Sequence, residues 1–311
     1  MSTENAMASG TATMPAINQL QENFKGKILF EDNMDLIASE LDIYLARKKT
    51  DILKELFHIL IADCRTKGME FLWGFNNIPA SYKRLGFENT FKSFHGIIVL
   101  KPFKAYKNIA SLKATNTLWG KLKIGTLSGL AYLFSMKRKF IVSQKNNYTV
   151  NFELNENKTL FQNASSPDKL TFLSQDKEFL NWRISENPHP IEYKSYQFFD
   201  KDILVAQVIC SKKEDVAYIE QTLFDKKLTK KTIHYLLKYV LRALQNENIC
   251  LVRFTGFKNN NLNRREISLL KNVGLILTGK GEWFTFKSLS DNSPVNPENI
   301  YFSRLYKQGV N

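Results

Sequence analysis

The stretch that decides the fold is Gly68–Phe87, which reads GMEFLWGFNNIPASYKRLGF. Its first part, Met69–Phe75, is a compact apolar run of the length typical of a buried β-strand. After a short loop, Pro79 begins a segment that is predicted to be helical, because proline is favoured in the first turn of a helix. Gly86 is predicted to end this helix, since glycine readily adopts the left-handed conformation of a helix C-terminus. The stretch therefore predicts a strand followed directly by a helix.

The flanking segments extend this unit in both directions. Residues Asp51–Arg65 (DILKELFHILIADCR) place apolar side chains at helical spacing, and an acidic residue at the start suits the helix dipole. On the other side, His95–Leu100 (HGIIVL) has the apolar, β-branched composition of a strand. The order is therefore helix, strand, helix and strand.

The same order recurs in the second half of the chain. Gly74-Phe75 is repeated as Gly256-Phe257, 182 residues later, and the offset grows from 178 at Lys48 to 188 at Gly86. A slowly growing offset is typical of two copies of one βαβαβ unit with small loop insertions in the second copy. A chance recurrence of the four elements is the alternative. The predicted elements of the second copy are Thr232–Leu244, Ile249–Phe257, Asn263–Asn272 and Trp283–Phe286.

Further strands are predicted before each copy, and they define the fold class. Tight turns separate three strands before the second copy, whereas only three scattered candidate strands remain before the first. The fold class is therefore α/β (α+β), with two tandem domains that are each a mixed, twisted sheet flanked by helices, and the first domain is shortened at its start. The strands predicted before the second copy are Tyr193–Phe199, Ile203–Ser211 and Val216–Leu223, and those before the first are Thr11–Ile17, Lys27–Phe30 and Ile37–Leu45.

Length and composition agree with two globular domains. The chain has 311 residues, against roughly 150 residues in a typical domain, and 43% of them are hydrophobic and 24% charged. We predict an N-terminal domain over residues 1–110, a basic, helical linker over 111–150 with its helix at Leu118–Lys139, and a C-terminal domain over 151–311.

Cysteine usage and the N-terminal sequence point to a reducing compartment. The three cysteines lie far apart inside apolar runs, so we expect buried thiols, no disulfide and no metal site. The N-terminus lacks the features of a secretory signal, and the most lipid-like run, Thr126–Met136, is far shorter than the roughly 20 residues that span a bilayer. We therefore expect a cytoplasmic protein without a transmembrane segment.

The positive charge is concentrated in one segment. The net charge is +14, and residues 89–152 contain eleven lysines and arginines with no aspartate or glutamate. The rest of the chain is close to neutral, which argues against a nucleic-acid binder that uses its whole surface. The segment suits a phosphate-bearing small molecule, an anionic membrane surface or RNA, and a solvated linker helix is the alternative.

The stretch Gly68–Phe87 resembles the second half of the GNAT acyltransferase fold. In that superfamily a central strand is followed by an asparagine, a helix, and a tyrosine four residues before Gly-Phe. Asn77, Tyr82 and Gly86-Phe87 stand in those places. The stretch Phe179–Tyr193 (FLNWRISENPHPIEY) is similar to a signature of GNAT-like domains encoded in bacterial polysaccharide gene clusters.

The resemblance covers most of the chain and implies a tandem GNAT protein similar to sugar N-acyltransferases. Such an enzyme would move an acyl group from acyl-CoA to the amine of a nucleotide-linked, in particular dTDP-linked, amino sugar. The family holds the donor pyrophosphate on a glycine-rich turn, but the corresponding residues 47–52 contain no glycine and include Asp51. Residues 226–229 of the second copy also lack it. The resemblance implies donor-binding roles for Arg47, Lys48, Lys49, Gly74 and Phe75.

Catalytic candidates follow from the chemistry of acyl transfer. The amine must lose a proton, and alternation along the strand Ile37–Leu45 places Glu40 and Asp42 on one face, where either could act as the base. A half-solvated strand would show the same alternation. The family mapping puts Asn77 at the strand end and Tyr82 near the leaving sulfur, and the alternative for Tyr82 is packing on the sheet. The second copy has a leucine in place of Tyr82, so the first copy is expected to do the chemistry.

Acceptor recognition is expected from the second half of the chain. Trp182 and Tyr193 offer faces for stacking on a base or sugar, and Arg183 offers a guanidinium suited to a diphosphate. His189 lies in a rigid turn between two prolines. The alternative for Trp182 and Arg183 is that they fix the helix against the sheet, and the alternative for His189 is a surface histidine without a role. Three function classes remain: the N-acyltransferase, a non-catalytic tandem GNAT-like binding module, and an RNA- or membrane-surface-binding protein. The oligomeric state is not predicted.

Overall fold

The chain forms two compact units in the computed structural model. The structure describes residues 28–30, 36–38, 50–102, 104–105, 125–126, 129, 133, 148–152, 170–172, 177–185, 191–290 and 295–306. The first unit comprises residues 1–91 and 282–297, and the second comprises 92–281 and 298–311. Two long strands therefore begin in one unit and end in the other.

In its described residues, the first unit is a mixed sheet with two helices. Its strand order is β1-β2-β3-β11-β4, in which β2 runs parallel to β3 and β11 runs antiparallel to β3. Its elements are β1 (Ile28–Phe30), β2 (Leu36–Ala38), α1 (Thr50–Thr66), β3 (Phe71–Asn76), α2 (Pro79–Arg84), the first residues of β4 (Glu88–Val99) and the last residues of β11 (Ile276–Ser288).

Helix α1 covers the first unit's sheet with its apolar face. Phe57, Ile61 and Cys64 point inward at helical spacing and pack with Leu72 of β3 and with Leu289. The exit of β11 is fixed as well, because the α1 residue Arg65 donates from Nε to the Leu289 carbonyl at 3.1 Å. Burial of this face holds the helix after β2 close to β3.

The second unit contains the larger sheet. Its strand order is β11-β4-β10-β9-β8-β7-β5, in which β9 runs parallel to β10 and β4 runs antiparallel to β10. A separate pair joins β6 to β12 in parallel. The remaining elements are β5 (Thr149–Asn151), β6 (Thr171–Phe172), α3 (Lys177–Leu180), a π-helical turn (Asn181–Ser185), β7 (Glu192–Asp200), β8 (Ile203–Lys213), β9 (Val216–Phe224), α4 (Lys230–Asn246), β10 (Leu251–Gly256), α5 (Asn261–Asn272), β12 (Ile300–Tyr301) and 3-10 turns at Pro297–Asn299 and Arg304–Tyr306.

Helices α4 and α5 pack on one face of this larger sheet. Leu236 and Val240 of α4, together with Ile267 of α5, are buried against Val208 and Ile219 of the strands. Each helix begins at a residue whose side chain accepts a backbone hydrogen bond, as expected for an N-cap. The opposite face of β7, β8 and β9 carries buried polar side chains instead, and these contribute to the site described below.

The predicted repeat is present as a repeated topology. In each copy a parallel strand pair encloses a helix, β2-α1-β3 and β9-α4-β10, and a second helix then leads into a long strand. The long strand of the first copy, β4, pairs with β10, whereas the long strand of the second copy, β11, pairs with β3. Each copy therefore receives its last strand from the other copy.

Several predicted elements differ in length from those of the structure. β4 begins at Glu88 instead of His95, and β11 begins at Ile276 instead of Trp283. Their first halves are mostly polar, and most of these residues are half-buried or exposed, so backbone pairing with distant strands extends them beyond the apolar core that the sequence pattern shows. The division into residues 1–110, 111–150 and 151–311 follows the order of the repeats along the chain and stays a prediction.

Other expectations concern the linker, the cysteines and the membrane. Within the predicted linker helix the described residues Gly125, Thr126, Gly129 and Leu133 are helical and exposed, and the other residues of that helix lie outside the described part. All three cysteines are buried and free, as predicted. Among the helices that the structure describes, none is long and apolar enough to cross a bilayer.

Candidate functional site

The candidate site of the first unit starts at the end of β3, a strand in which every residue is buried. Gly74 and Phe75, the residues expected to bind the donor, lie on this strand. The Gly74 carbonyl accepts a hydrogen bond from the Thr285 hydroxyl at 3.1 Å, and the Phe75 ring lies 5.4 Å from the ring of Phe284. Both residues are therefore held by β11 on one side of β3.

Asn76 is the buried polar residue at this strand end. Its Nδ2 donates to the Thr285 hydroxyl at 3.2 Å, and its Oδ1 accepts from the Ile78 backbone N–H at 3.0 Å. The predicted site residue, Asn77, is the next residue and is exposed. The sequence pattern did not single out Asn76, although asparagine side chains commonly accept a hydrogen bond from the backbone two residues further on.

Tyr82 lies on α2 with its side chain half-buried. Its ring meets the rings of Phe57 and Phe87 edge to face, at centroid distances of 6.1 and 5.5 Å. These contacts hold the aromatic ring in the apolar cluster between α1 and the start of β4. The role of Tyr82 near a leaving sulfur stays a prediction.

Gly86 and Phe87, the Gly-Phe pair after α2, form the turn that ends this helix. Gly86 has φ of +79°, a left-handed conformation that glycine adopts without steric cost. The N–H of Gly86 donates to the Lys83 carbonyl, and the N–H of Phe87 donates to the Tyr82 carbonyl. Lys287 of β11 donates from Nζ to the Gly86 carbonyl at 3.3 Å. The pair therefore ends α2 and returns the chain to the sheet.

The residues expected to recognise the acceptor lie in the second unit. Trp182 and Tyr193 are half-buried, and the Trp182 ring lies 6.0 Å from that of Phe179. Arg183 is buried, and its Nε donates to the Leu305 carbonyl at 2.9 Å. Arg183 therefore holds the C-terminal part of the chain, which occupies at least one of its five N–H groups.

Six predicted site residues lie outside the described part of the chain, and their roles stay predictions. The six residues are Glu40, Asp42, Arg47, Lys48, Lys49 and His189.

The second unit contains the matching strand pair with an irregularity in β9. On the β8 side, Ile209 pairs with Gln221 and Cys210 pairs with Ile219, which leaves Glu220 as the extra residue of a β-bulge. On the other side, the parallel pairing of β9 with β10 ends at Ile219. The two strands therefore part at the position of the bulge.

The bulge residue Glu220 carries a buried charge. Its Oε1 accepts a hydrogen bond from the Ser211 hydroxyl and forms an ion pair with Arg304, while its side chain is fully buried. The Arg304 guanidinium also stacks 4.2 Å from the centre of the Tyr218 ring. Because an unpaired buried carboxylate is strongly destabilising, Arg304 is bound firmly at the bulge.

Thr222, the second residue after the bulge, satisfies its polar groups within the second unit. Its carbonyl accepts from the Tyr301 hydroxyl at 3.1 Å, and its own hydroxyl donates to Glu266 Oε1 at 2.8 Å. The Glu266 carboxyl also accepts from the Thr222 backbone N–H. Burial raises the pKa of Glu266 to about 8, although these hydrogen bonds act to lower it.

No protein-family model matches the chain, and no curated protein matches it. Among solved structures, a GCN5-related N-acetyltransferase from Anabaena variabilis has a TM-score of 0.52 at 10% identity, over 85% of this chain and 58% of that one. A protein of unknown function from Enterococcus faecalis, described as a probable N-acyltransferase, has a TM-score of 0.51 at 8% identity, over 84% and 57%.

A tandem GNAT protein from the clavulanic acid biosynthesis pathway is also similar, with a TM-score of 0.49 at 11% identity, over 83% of this chain and 76% of that one. The chain spans a little over half the length of the Anabaena and Enterococcus structures. At such low identities the likeness concerns the fold alone. The chain has the mixed α/β fold of the GCN5-related N-acetyltransferases.

Proposed function

We propose that the chain is an acyl-CoA-dependent N-acyltransferase whose reaction takes place in the first unit. The observation that carries this proposal is the parallel strand pair with an enclosed helix, in a fold shared with GCN5-related N-acetyltransferases. In the first unit this pair is followed by the helix that bears Tyr82, whereas the second copy has Leu270 at that place.

The proposed chemistry forms an amide bond and breaks a thioester bond. Glu40 or Asp42 accepts the proton that the primary amine must lose, directly or through water. The amine nitrogen then bonds to the acyl carbon, and the carbon–sulfur bond breaks. Tyr82 donates a hydrogen bond to the departing thiolate. Full proton transfer from tyrosine to a thiolate is uphill by ~2 kcal/mol from their usual pKa values, so the thiolate takes its proton from the medium.

The donor is proposed to bind along β3 and the start of α1. Arg47, Lys48 and Lys49 supply positive charge for the phosphates in place of the glycine turn, and Gly74 and Phe75 line the pantetheine arm. Asn77 is proposed to contact the bound donor from the loop after the strand.

The acceptor is proposed to be the amine of a nucleotide-linked, in particular dTDP-linked, amino sugar. Trp182 and Tyr193 supply stacking faces, and His189 a polar group in a rigid turn. Arg183 is proposed to supply a guanidinium for the diphosphate. This acceptor rests on the resemblance of the stretch that contains these residues.

A non-catalytic binding module is the second candidate, and the absence of glycine from residues 47–52 and 226–229 favours it. A third candidate, binding to RNA or a membrane surface, rests on the charge of residues 89–152. Thermal unfolding with and without coenzyme A separates these classes, since a ligand that binds only the folded state raises the melting temperature. Stabilisation together with amide formation supports the enzyme, and stabilisation without turnover supports the module. If coenzyme A does not stabilise the chain, and the chain binds RNA with an affinity that falls steeply with salt, both the enzyme and the binding module are contradicted.

The substitution Tyr82→Phe tests directly whether the first unit carries out the reaction. We expect turnover to fall by roughly tenfold to a hundredfold, because one hydrogen bond to the leaving thiolate is lost, while the melting temperature changes little. Tyr235→Phe, a half-buried tyrosine on α4, is the matched control and should keep the parent rate. Equal rates for Tyr82→Phe and the parent would remove Tyr82 from the chemistry.

A further inference from the structure

We infer that the chain's own C-terminal segment, Ile300–Tyr306, fills the second unit's donor cleft, which is the opening where β9 and β10 part. The protein then has one donor site, in the first unit. This inference rests on the proposed function, since it states which copy can accept acyl-CoA. The contacts that support it lie in the second unit, where β9 and β10 part and at the turn before α4.

The segment lies where β9 and β10 part. Beyond the last parallel pair, at Ile219, the turn Arg304–Tyr306 contacts both strands. Tyr301 bonds the Thr222 carbonyl, and the Arg304 guanidinium is paired with the bulge residue Glu220. The amides of a pantetheine arm would need such backbone groups as partners. Here Tyr301 already satisfies one of them, the Thr222 carbonyl.

The α5 side of the cleft holds the same segment. Asn260 donates from Nδ2 to the Ile300 carbonyl at 2.7 Å, and Asn263 donates from Nδ2 to the Phe302 carbonyl at 2.6 Å. The N–H of Phe302 donates back to Asn263 Oδ1 at 3.3 Å. Tyr301, Phe302 and Leu305 are each 0% exposed. The segment is therefore packed as a core element of the second unit.

The turn before α4, where a donor pyrophosphate would sit, is closed by its own side chains. Asp225 Oδ1 accepts from the Lys227 backbone N–H at 2.8 Å, and Thr229 Oγ1 accepts from the Thr232 backbone N–H at 3.1 Å. A helix N-terminus binds an anion through such N–H groups. A pyrophosphate would have to displace these bonds and approach the like charge of Asp225. Two of the N–H groups at this turn and helix start are thus already bonded from within the chain.

Titration calorimetry with coenzyme A, together with hydrogen exchange, tests the inference. We expect one bound coenzyme A per chain, slow exchange of the amides of Ile300–Tyr306, and no change in residues 220–224 when coenzyme A is added. Two bound molecules, or a changed exchange rate in residues 220–224 or in the segment, would overturn the inference. If coenzyme A does not bind at all, the proposed function fails. Hydrogen exchange of the ligand-free chain still tests whether the segment occupies the cleft. In that chain, exchange of the segment as slow as that of β9 supports the occupied cleft, and fast exchange overturns it.

A substitution on α5 tests which contacts hold the segment. Asn263→Ala removes both hydrogen bonds to Phe302, and we expect the segment's amides to exchange at least tenfold faster. Asn272→Ala, at the exposed end of the same helix, is the matched control and should leave the rates unchanged. If Asn263→Ala does not fold, Tyr301→Phe removes the bond to Thr222 and should show the same increase. Parent-like exchange in the folded variant would contradict the role of these contacts.

Discussion

At the residue scale, Glu266 couples the second unit's stability to pH. Burial raises the pKa of its carboxyl group to about 8, whereas an unfolded chain has a value near 4.5. Between these values the folded chain holds one more proton than the unfolded chain, so the free energy of unfolding decreases as pH rises. The stabilising contribution is fully present below about pH 4.5 and is lost as the pH rises to about 8.

The substitution Glu266→Gln, which imitates the protonated side chain, measures this coupling. Relative to the parent, the variant should gain roughly 3 kcal/mol of stability between pH 5 and pH 8, because over that range only the parent releases a proton when it unfolds. Denaturant unfolding at the two pH values gives the difference. Glu88→Gln, at an exposed carboxylate, is the control and should follow the parent. A difference between Glu266→Gln and the parent that does not depend on pH would show that Glu266 titrates normally.

At the element scale, two helices of the second unit differ in what their N-caps do. Thr229 Oγ1 caps α4 through the Thr232 N–H and is exposed. Asn260 caps α5 through the Asn263 N–H, is buried, and also donates to the Ile300 carbonyl. The second cap therefore joins a helix start to the C-terminal segment, and the first serves its own helix alone.

Alanine substitutions should separate these two roles. We expect Thr229→Ala to lower the free energy of unfolding by about 1 kcal/mol, the usual cost of losing a cap. Asn260→Ala should lower it by about 2 kcal/mol, because one of two hydrogen bonds to the Ile300 carbonyl is lost as well, while Asn259 keeps the other. Denaturant titration measures both, with Ser268→Ala on the exposed face of α5 as the control. Equal losses for Thr229→Ala and Asn260→Ala would mean that the bond to Ile300 contributes nothing.

The order of the elements was predictable because periodicity is local. The apolar spacing of α1 and α4, the compact run of β3 and the left-handed Gly86 each appear within a few residues of sequence, and each is confirmed. The exchange of β4 and β11 was not predictable in this way. The partners of these strands lie about 150 to 220 residues away along the chain, and local propensity carries no information about such pairing.

The candidate site was predictable only in part, for the same reason. The sequence indicated Gly74, Tyr82 and the Gly-Phe pair, which share one short stretch. It did not indicate Glu220, because a bulge is defined by the register of two strands and no residue type marks it. Arg304 was missed as well, since its partner lies 84 residues away and a lone arginine near a chain end has no distinctive pattern.

At the scale of the whole molecule, the exchanged strands predict that the first half does not fold alone. Within the first unit, Trp283–Ser288 of β11 pairs residue by residue with Asn76–Phe71 of β3, and Phe284 is fully buried. A fragment of residues 1–150 lacks this strand and leaves one edge of β3 without its partner, a state prone to aggregation.

Expression of residues 1–150 should therefore give an aggregated or unfolded product, with fast exchange of the β3 amides. Residues 151–311 supplied in trans contain β11, and co-expression should restore a soluble complex with protected β3 amides. A fragment carrying Phe284→Asp in the supplied half is the control: it keeps the length of the strand but places a charge in the buried position, and it should not rescue. A monomeric fragment 1–150 with protected β3 amides would contradict the exchange, and it would support the alternative in which residues 1–110 form a self-sufficient domain.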